Sequence, residues 1–393
     1  MKLAALVVNH DSGAHALACV RSLRREAHAA GLASPRIVVV DCGSTLDQRA
    51  AFDGLRSLGA EVVLAENLGY AGGMQLASSR ACGAEALLAL NPDLVFAPGS
   101  LARLLEASRA SPRAIVAPRA SLDEGGALIL PPIALPTAWG ELRNALGLVD
   151  SSVARENALE AARARLAAWS ARAPHASDML SGACLLVPRP ILVELGALFD
   201  ERYPLYYEDA DLCRRARAHR VPLLVEPRAL VAHRWSRSAG HGERYAGEPL
   251  RRMRLSRELY LREHHGLRGL CAARLVALFE ARATAVAIHA CRELGPRASA
   301  PTSELGEDVA HAAGEALLFE VAVAPGFSLC AGRVLAPGEP PGFGGAWDWL
   351  PEGRYWLRCL AASDLRLVAA WTMAKTTPSV EPPAVLPGSE AAA

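Results

Sequence analysis

The sequence lacks the features that mark several large classes of protein. Its 42 lysines and arginines nearly balance its 41 aspartates and glutamates, so no charge excess draws the whole chain toward nucleic acid or an anionic membrane. The nine cysteines are scattered singly, without a CxxC pair. That pattern argues against a disulfide framework or a structural zinc site and favours reduced thiols in a cytoplasmic protein. Function must therefore be sought in local groups of residues.

Long apolar runs are also missing. The amino-terminal run at residues 3–8 ends at Asn9, which is too short for a signal peptide or a membrane span and predicts a first β-strand. The most apolar later stretch, residues 275–290, contains Glu280 and Arg282 and predicts an amphipathic helix, packed on the core or lying on a membrane surface. We therefore expect a cytoplasmic protein that either is soluble or associates peripherally with the inner face of the cell membrane.

Short apolar runs alternate with helical patterns through the first hundred residues. Candidate strands occupy 3–9, 36–44, 60–67 and 86–93, and helices are predicted between them. Strands as apolar as these are typical of a parallel sheet that is covered by helices on both faces. The pattern therefore predicts a doubly wound α/β unit.

The rest of the chain divides at turns and at changes of composition. Three prolines within 131–136 predict a loop excursion, and apolar strands resume at 182–188 and 221–233. A helical segment dotted with arginines follows, and beyond it short β-like runs with four tryptophans predict a small sandwich-like β domain. The predicted divisions are an α/β domain at 1–240, a helical extension at 241–295, a β domain at 308–376 and a disordered tail at 377–393.

Polar side chains follow the apolar strands at the points where these strands end. They are Asn9, Asp41, Asn67, and Asn91 with Asp93. Because ligands of parallel α/β sheets bind beyond the carboxyl ends of the strands, we expect these residues to converge on one site. There Asp41 would accept the N3–H of a uracil or thymine; alternatively, it caps the next helix.

A glycine-rich turn joins the third strand to the next helix in the stretch ENLGYAGGMQLA. Gly69, Gly72 and Gly73 would let backbone amides approach a ligand there, and a helix amino terminus favours phosphate. The spacing matches neither a dinucleotide fingerprint nor a P-loop. A turn that merely needs glycine is the alternative.

Two further places suit a divalent cation. The stretch LNPD ends a strand with Asn91 and Asp93, and a cation that also binds a diphosphate needs only one or two protein carboxylates. His233 ends the strand at 221–233 and is a metal ligand, a hydrogen-bond partner of phosphate or an exposed turn residue. An ordinary Asn-Pro-Asp turn is the alternative for the first place.

An acidic cluster precedes a run of arginines in the stretch YPLYYEDADLCRRARAHRV. Glu208, Asp209 and Asp211 crowd into four positions, which costs stability unless their charges are compensated or used. A helix that begins near Glu208 would compensate them through its dipole and through Arg214 and Arg215, one turn beyond. The functional alternative is that one carboxylate accepts a proton from a hydroxyl group as that group attacks an electrophile.

Seven segments in order, within about residues 1–265, resemble the family 2 glycosyltransferases and most nearly the branch labelled rhamnosyltransferase-like. They are VVNHDSG, VVVDCGS, ENLGYAGG, LNPD, SGACLLVPR, GALFDERYPLYYEDADLCRRARAHR and ALVAH. Cys42 stands where this family usually has asparagine, and Met74 and Gln75 stand where it commonly has paired asparagines. These departures lie on the side expected to bind the sugar donor.

The resemblance implies a nucleotide-diphospho-sugar transferase fold of the GT-A type, with a Rossmann-like mixed sheet covered by helices on both faces. It implies inverting transfer of a sugar, with rhamnose as one candidate, from a dTDP- or UDP-sugar to a hydroxyl of a glycan or lipid-linked acceptor in cell-surface polysaccharide assembly. Mg²⁺ or Mn²⁺ would be the cofactor. The implied residues are Asp209 as the general base with Glu208 and Asp211 in support, Asn9, Asp41, Asn67, Gly69 and Gly73 around the nucleotide, and Asp93, Asn91 and His233 around the metal.

Two other functions fit the same fold. A catalytically silent sugar-nucleotide- or glycan-binding protein would bind without turnover, and its β domain would recognise carbohydrate through tryptophans that otherwise form its core. A nucleotidyltransferase is disfavoured, because no basic glycine-rich loop follows the first strand. Nucleic acid is not an expected partner.

Overall fold

A computed structural model of the chain describes residues 1–233, 247–293, 314–324, 326–327 and 330–376. The predicted loop at 295–308 and the predicted tail at 377–393 lie outside the described residues. The chain forms two compact units. Of the described residues, unit 1 comprises 1–119, 172–233 and 247–257, and unit 2 comprises 120–171, 258–293 and those between 314 and 376.

The strands and helices follow the order that the apolar patterns predict through the first half of the chain. The strands are β1 (Leu3–Asn9), β2 (Arg36–Cys42), β3 (Ala60–Ala65), β4 (Ala86–Leu90), β5 (Leu94–Phe96), β6 (Ile115–Ser121), β7 (His175–Ala176), β8 (Cys184–Pro188), β9 (Leu223–His233), β10 (Leu317–Ala322), β11 (Cys330–Leu335), β12 (Gly353–Ala361) and β13 (Leu367–Lys375). The helices are α1 (Gly13–Ala29), α2 (Arg49–Ser57), α3 (Gly69–Arg80), α4 (Ser100–Ala110), α5 (Ala138–Leu146), α6 (Ser151–Ser170), α7 (Arg189–Leu195), α8 (Glu208–Ala218) and α9 (Gly247–Glu293).

Unit 1 contains one mixed sheet with the strand order β3-β2-β1-β4-β8-β6-β9-β5, and β7 pairs with β9. β1 runs parallel to β2 and to β4, whereas β8 runs antiparallel to β4. Every residue of β1 and β4 is buried, which explains why these strands are apolar on both faces. The predicted α/β fold with a mixed sheet is confirmed.

The reversal of direction at β8 decides where the polar strand ends meet. Leu90, the last residue of β4, pairs with Cys184, the first residue of β8. Likewise Leu94 pairs with His233 at the end of β9. The carboxyl ends of β1, β2, β4 and β9 and the amino end of β8 therefore lie along one edge of the sheet.

Unit 2 contains a separate antiparallel sheet with the order β11-β10-β12-β13, so the predicted carboxyl-terminal all-β region is confirmed. Residues 120–171 belong to this unit: Ile129 forms a β-bridge with Gly332, and Trp169 of α6 donates a hydrogen bond to the Leu130 carbonyl at 3.0 Å. Within the described chain, α6 supplies the layer that covers one face of this sheet.

Three of the four carboxyl-terminal tryptophans pack against the apolar clusters of unit 2. Trp371 is 3 % exposed and stacks on Phe319 with ring centroids 6.2 Å apart. Trp347 and Trp356 are partly buried and pack against the two apolar clusters of the unit. Burial of these rings is what core side chains show, so the core interpretation of the tryptophans is favoured over carbohydrate recognition.

A charged triad is buried between α6 and the sheet of unit 2. The Glu320 side chain is 0 % exposed and accepts hydrogen bonds from Arg165 Nε at 2.5 Å and Arg358 Nε at 2.6 Å. Both ion pairs lie in a region of low dielectric constant, where each charge depends on the others for compensation. The triad therefore fixes α6 on the sheet.

The long helix α9 is interrupted at Gly266, whose φ of 59° is left-handed and favours glycine. In the part of the chain that the structure describes, no helix is both long enough and apolar enough to cross a membrane.

Candidate active site at the strand ends

Asn9 and Asp41 face each other at the ends of β1 and β2, where they occupy paired positions of the parallel ladder. Oδ1 of Asp41 accepts hydrogen bonds from Asn9 Nδ2 at 2.7 Å and from Ser44 Oγ at 2.5 Å, and Oδ2 accepts one from the Ser44 amide at 3.2 Å. Asp41 is 6 % exposed. These bonds hold its carboxylate at the strand end, and it does not cap α2, which begins after Gln48.

Ser44 is a site residue that the sequence interpretation missed. It bonds to both oxygens of Asp41, and its hydroxyl also accepts a hydrogen bond from the Asp11 amide at 2.8 Å. A serine three positions after an aspartate is a common local hydrogen-bonding pattern, so the spacing in VDCGS was the available signal. Ser44 orients Asp41 relative to the turn that follows β1.

The turn before α3 places Asn67 and Gly69 at its surface. Asn67 Oδ1 accepts a hydrogen bond from the Gly69 amide at 3.1 Å, and Gly69 has a left-handed φ of 69°. Gly73 differs, because a Cβ there would lie 2.7 Å from Cys42 Sγ and 2.9 Å from a Val8 methyl group. Its lack of a side chain thus lets α3 pack closely on β1 and β2, which accounts for Gly73 without a ligand.

Asn91, Asp93 and His233 lie together where β4 ends and β5 begins. His233 Nε2 is 3.4 Å from Asp93 Oδ1 and 3.4 Å from Asn91 Nδ2. Burial acts to raise the pKa of Asp93, but the charge of His233 and its hydrogen bond outweigh burial, and the pKa is lowered. The described residues include no group of three or more His, Cys, Asp or Glu that could hold a metal.

α8 begins abruptly at the acidic cluster. Tyr206 and Tyr207 both have left-handed φ values, 63° and 67°, which are uncommon for residues other than glycine and cost conformational energy. They turn the chain so that Glu208 and Asp209 enter the first turn of α8. Backbone strain of this kind is often retained at functional sites.

The two adjacent carboxyl groups have different surroundings. Glu208 is 7 % exposed, and its Oε2 has no hydrogen-bond partner among the described residues. Asp209 is only partly buried, and its oxygens accept hydrogen bonds from the Gly182 amide at 3.0 Å and the Ala210 amide at 2.9 Å. Of the two, Asp209 is the carboxylate that a ligand can reach.

The pKa values of this pair are raised. Burial raises the pKa of Glu208 to about 8, and the charge of Asp209 adds to the rise. Burial also raises the pKa of Asp209, although the amides that donate to it oppose this effect. At neutral pH Glu208 is therefore protonated and contributes no negative charge beside Asp209.

Asp211 has a structural position. Its Oδ2 accepts a hydrogen bond from Arg215 Nε at 2.8 Å, one helical turn away. The guanidinium of Arg215 in turn donates to the carbonyls of Leu195, Ala197 and Leu198. Asp211 thus orients an arginine that ties α8 to the end of α7, which accounts for this acid without a direct part in chemistry.

One short segment brings the acidic cluster to the LNPD turn. The Gly182 amide donates to Asp209, and the carbonyl of the next residue, Ala183, accepts a hydrogen bond from the backbone amide of Asn91 at 2.8 Å. A Cβ on Gly182 would lie 3.1 Å from the Asp209 Cβ, so a larger residue would force these elements apart. The structure therefore gathers at one sheet edge the acids of α8, the LNPD turn, His233, and the Asn9–Asp41 pair.

We expect Glu208→Gln to gain stability relative to the wild type as pH rises from about 5 to 8. In this range the unfolded state has released the Glu208 proton while the folded state retains it, so the free energy of unfolding of the wild type falls as pH rises. Glutamine removes this dependence. Thermal unfolding at both pH values measures it, with exposed Glu106→Gln as the control. Parallel pH profiles for Glu208→Gln and the wild type would contradict the raised pKa.

Comparison with known proteins gives the following findings. No family model matches the chain. It is 26 % identical over 158 residues to the low-salt glycan biosynthesis hexosyltransferase Agl10 of Haloferax volcanii, covering 39 % of this chain and 45 % of that protein. It is 31 % identical over 160 residues to the N-acetylglucosaminyl-diphospho-decaprenol L-rhamnosyltransferase of Mycobacterium tuberculosis, covering 39 % and 48 %. The chain thus spans about half the length of the curated relatives it matches.

Solved structures show a weaker likeness. GalNAc-T7 with UDP, GalNAc and Mn²⁺ matches with a TM-score of 0.41 and 14 % identity, over 59 % of this chain and 44 % of that chain. S. aureus TarS 1–349 in complex with UDP matches with a TM-score of 0.40 and 14 % identity, over 67 % and 72 %. TM-scores this low carry no argument about function. The two curated relatives, by contrast, confirm the resemblance to the rhamnosyltransferase-like branch of the family 2 glycosyltransferases.

Proposed function

We propose that this protein is an inverting glycosyltransferase that moves a sugar from a nucleotide-diphospho-sugar to a hydroxyl of a glycan or lipid-linked acceptor in cell-surface polysaccharide assembly. The observation that carries the proposal is the shared segment at Gly182 and Ala183, which binds Asp209 on one side and the LNPD turn on the other. A general base and a cation site that lie this close to each other suit the transfer of a group from one bound ligand to another. The names of the curated relatives support the same class of reaction.

Asp209 is the proposed general base. It is partly exposed, its neighbour Glu208 is protonated at neutral pH, and two amides hold its carboxylate in one orientation. In one displacement step it takes the proton of the acceptor hydroxyl, whose oxygen bonds to the anomeric carbon while the bond to the diphosphate breaks. Holding both reactants in line supplies much of the remaining rate acceleration.

Asn9, Asp41, Asn67 and Gly69 are the proposed nucleotide contacts, with a dTDP- or UDP-sugar as the donor. Asp41 keeps acceptor capacity on Oδ2, where the Ser44 amide is its one hydrogen-bond partner in the described chain. A uracil or thymine N3–H is a donor of the kind that this oxygen can bind. The Gly69 amide already donates to Asn67, so the amides that follow it in the first turn of α3 are the ones proposed for the diphosphate.

The proposed cofactor is Mg²⁺ or Mn²⁺. Asp93 and His233, 3.4 Å apart and both at the strand ends, fit a divalent cation, and the Asn91 amide oxygen is a third donor of suitable chemistry. Asp93 would supply an ionised carboxylate to the cation, which would take the place of the proton whose charge on His233 lowers the pKa of Asp93. When bound, the cation would neutralise charge on the leaving diphosphate.

The proposal is tested by incubating the full chain with Mn²⁺, a panel of UDP- and dTDP-sugars and glycan or polyprenyl-linked acceptors. We expect release of nucleoside diphosphate that depends on both substrates, and loss of this release when EDTA removes the cation. The anomeric configuration of the product, observed by NMR, decides whether transfer inverts. Nucleotide binding without turnover across the panel would instead support a silent binding protein.

A further inference from the structure

Tyr70 connects the turn before α3 to the acidic cluster. It lies in the first turn of α3, directly after Gly69, and its hydroxyl donates a hydrogen bond to the Gly182 carbonyl at 2.9 Å. Gly182 is 112 positions away in sequence and is the residue whose amide donates to Asp209. Gly182 thus accepts a hydrogen bond from the part of the proposed site that would bind the nucleotide, and it donates one to the proposed general base.

Several contacts fix the tyrosine in this place. Its ring packs against Phe199 with centroids 5.5 Å apart, and a Cβ on Gly182 would lie 3.4 Å from the same phenylalanine ring. A Cβ on the neighbouring Gly69 would lie 3.8 Å from the Pro204 carbonyl, just before α8. The turn before α3, the segment at Gly182 and the start of α8 therefore form one packed group.

The Tyr70 hydroxyl remains a donor over the working pH range. Burial raises the pKa of Tyr70 well above its ordinary value, and the charges of Glu208 and Asp209 raise it further. A protonated hydroxyl gives its proton to an acceptor, and here the acceptor is a backbone carbonyl. In this hydrogen bond the Tyr70 hydroxyl is therefore the donor and the Gly182 carbonyl the acceptor.

We propose that Tyr70 is a positioning residue: by holding the Gly182 carbonyl it restrains the backbone at this glycine, so that the Gly182 amide, in the preceding peptide unit, stays directed at the Asp209 carboxylate. This inference rests on the proposed function and deepens it. It explains how the turn at Asn67 and Gly69, which would bind the nucleotide, is held at a fixed distance from the proposed base, Asp209. The hydroxyl touches neither reactant. It acts through Gly182.

This role of Tyr70 predicts a specific change in the pH dependence of kcat. An amide that donates to a carboxylate stabilises the ionised form, so loosening the Gly182 amide raises the pKa of the base. The titratable groups that face Asp209 in the described chain are Glu208 and Cys213 on its own helix and Tyr70 on α3. Glu208, Cys213 and Tyr70 all have raised pKa values and keep their protons where kcat falls on the acidic side of its pH profile. A shift of this acid limb therefore reports the pKa of Asp209 itself.

Tyr70→Phe removes the hydroxyl and keeps the ring on Phe199. We expect kcat to fall by about 5- to 20-fold with little change in the KM for the donor, and the acid limb of kcat to move up by about half a unit to one unit. The matched control is Tyr355→Phe, which removes a comparable bond from Tyr355 to the Pro351 carbonyl in unit 2. The control should lose a similar amount of stability and keep the wild-type pH profile.

Three outcomes separate the possibilities. Absence of wild-type turnover would overturn the proposed function itself. Wild-type turnover with an unchanged kcat and an unchanged acid limb in Tyr70→Phe would overturn the positioning role. A further loss when Tyr70→Phe is added to Asp209→Asn would also overturn it, because a residue that acts only through Asp209 has no effect once that base is gone.

Discussion

We expect Asp209→Asn to lower kcat by about 10²- to 10⁴-fold, the range for loss of a positioned general base, which is the role proposed for Asp209. Asparagine keeps the size of the side chain and one oxygen, which can accept from the amide of Gly182 or from that of Ala210 but not from both, and it cannot take the proton of the acceptor hydroxyl. Because the proposed contacts to the sugar donor lie on β1, β2 and the turn before α3, donor affinity should stay within a few-fold of the wild type. The measurements are steady-state kinetics and isothermal titration with the nucleoside diphosphate.

Asp53→Asn is the matched control for this variant. Asp53 lies on α2, its side chain is 76 % exposed, and it makes a surface ion pair with Arg56. Surface pairs of this kind contribute little, so the control should keep wild-type kinetics. If Asp209→Asn turned over donor and acceptor at the wild-type rate, Asp209 would lose its assigned role and the base would have to be sought elsewhere.

Glu320→Ala is the substitution expected to damage unit 2 most, by about 3–5 kcal/mol of the free energy of unfolding. It leaves the guanidinium groups of Arg165 and Arg358 buried without their carboxylate, and the cost of burying a charge is no longer offset. Six of the seven tryptophans in the sequence lie in unit 2: Trp139, Trp169, Trp347, Trp349, Trp356 and Trp371. Tryptophan fluorescence during denaturant unfolding therefore reports mainly on this unit.

Two further variants show whether charge compensation is the cause. Glu315→Ala removes an ion pair with Arg366, whose side chain is 62 % exposed, and should cost less than about 1 kcal/mol. Replacing Glu320, Arg165 and Arg358 together by leucine and two methionines should restore most of the loss, because well-packed apolar residues can replace a buried ion triad. If the triple variant were as unstable as Glu320→Ala, the loss would come from packing rather than from uncompensated charge.

The sequence predicted the parts of the site whose signal is local. The polar strand ends follow apolar runs, and parallel strands end at one edge, so the grouping of Asn9 with Asp41 followed from the pattern alone. The pairing of Asp211 with an arginine one turn away was also foreseeable, and the structure selects Arg215 over Arg214. Neither inference needed knowledge of distant contacts.

Other features depend on pairs that are far apart in sequence. Tyr70 and Gly182 meet across 112 positions, and no periodicity marks either residue. Gly73 looked like part of a phosphate turn, yet whether a glycine faces a ligand or a neighbouring strand depends on how the helix is rotated on the sheet. The attachment of residues 120–171 to the carboxyl-terminal sheet depends on the Ile129–Gly332 bridge, which joins segments about two hundred positions apart.

The strand order of unit 1 also has a consequence for synthesis on the ribosome. β4 pairs on one side with β1, which is made before it, and on the other with β8, which is separated from the end of β4 by 93 residues. At a translation rate of about 5–20 residues per second, an apolar strand edge therefore stays open for roughly 5–19 s while the nascent chain grows. An open edge of this kind is a template for intermolecular pairing. Correct folding of this sheet therefore depends on the β4 edge staying unpaired with other chains until β8 emerges.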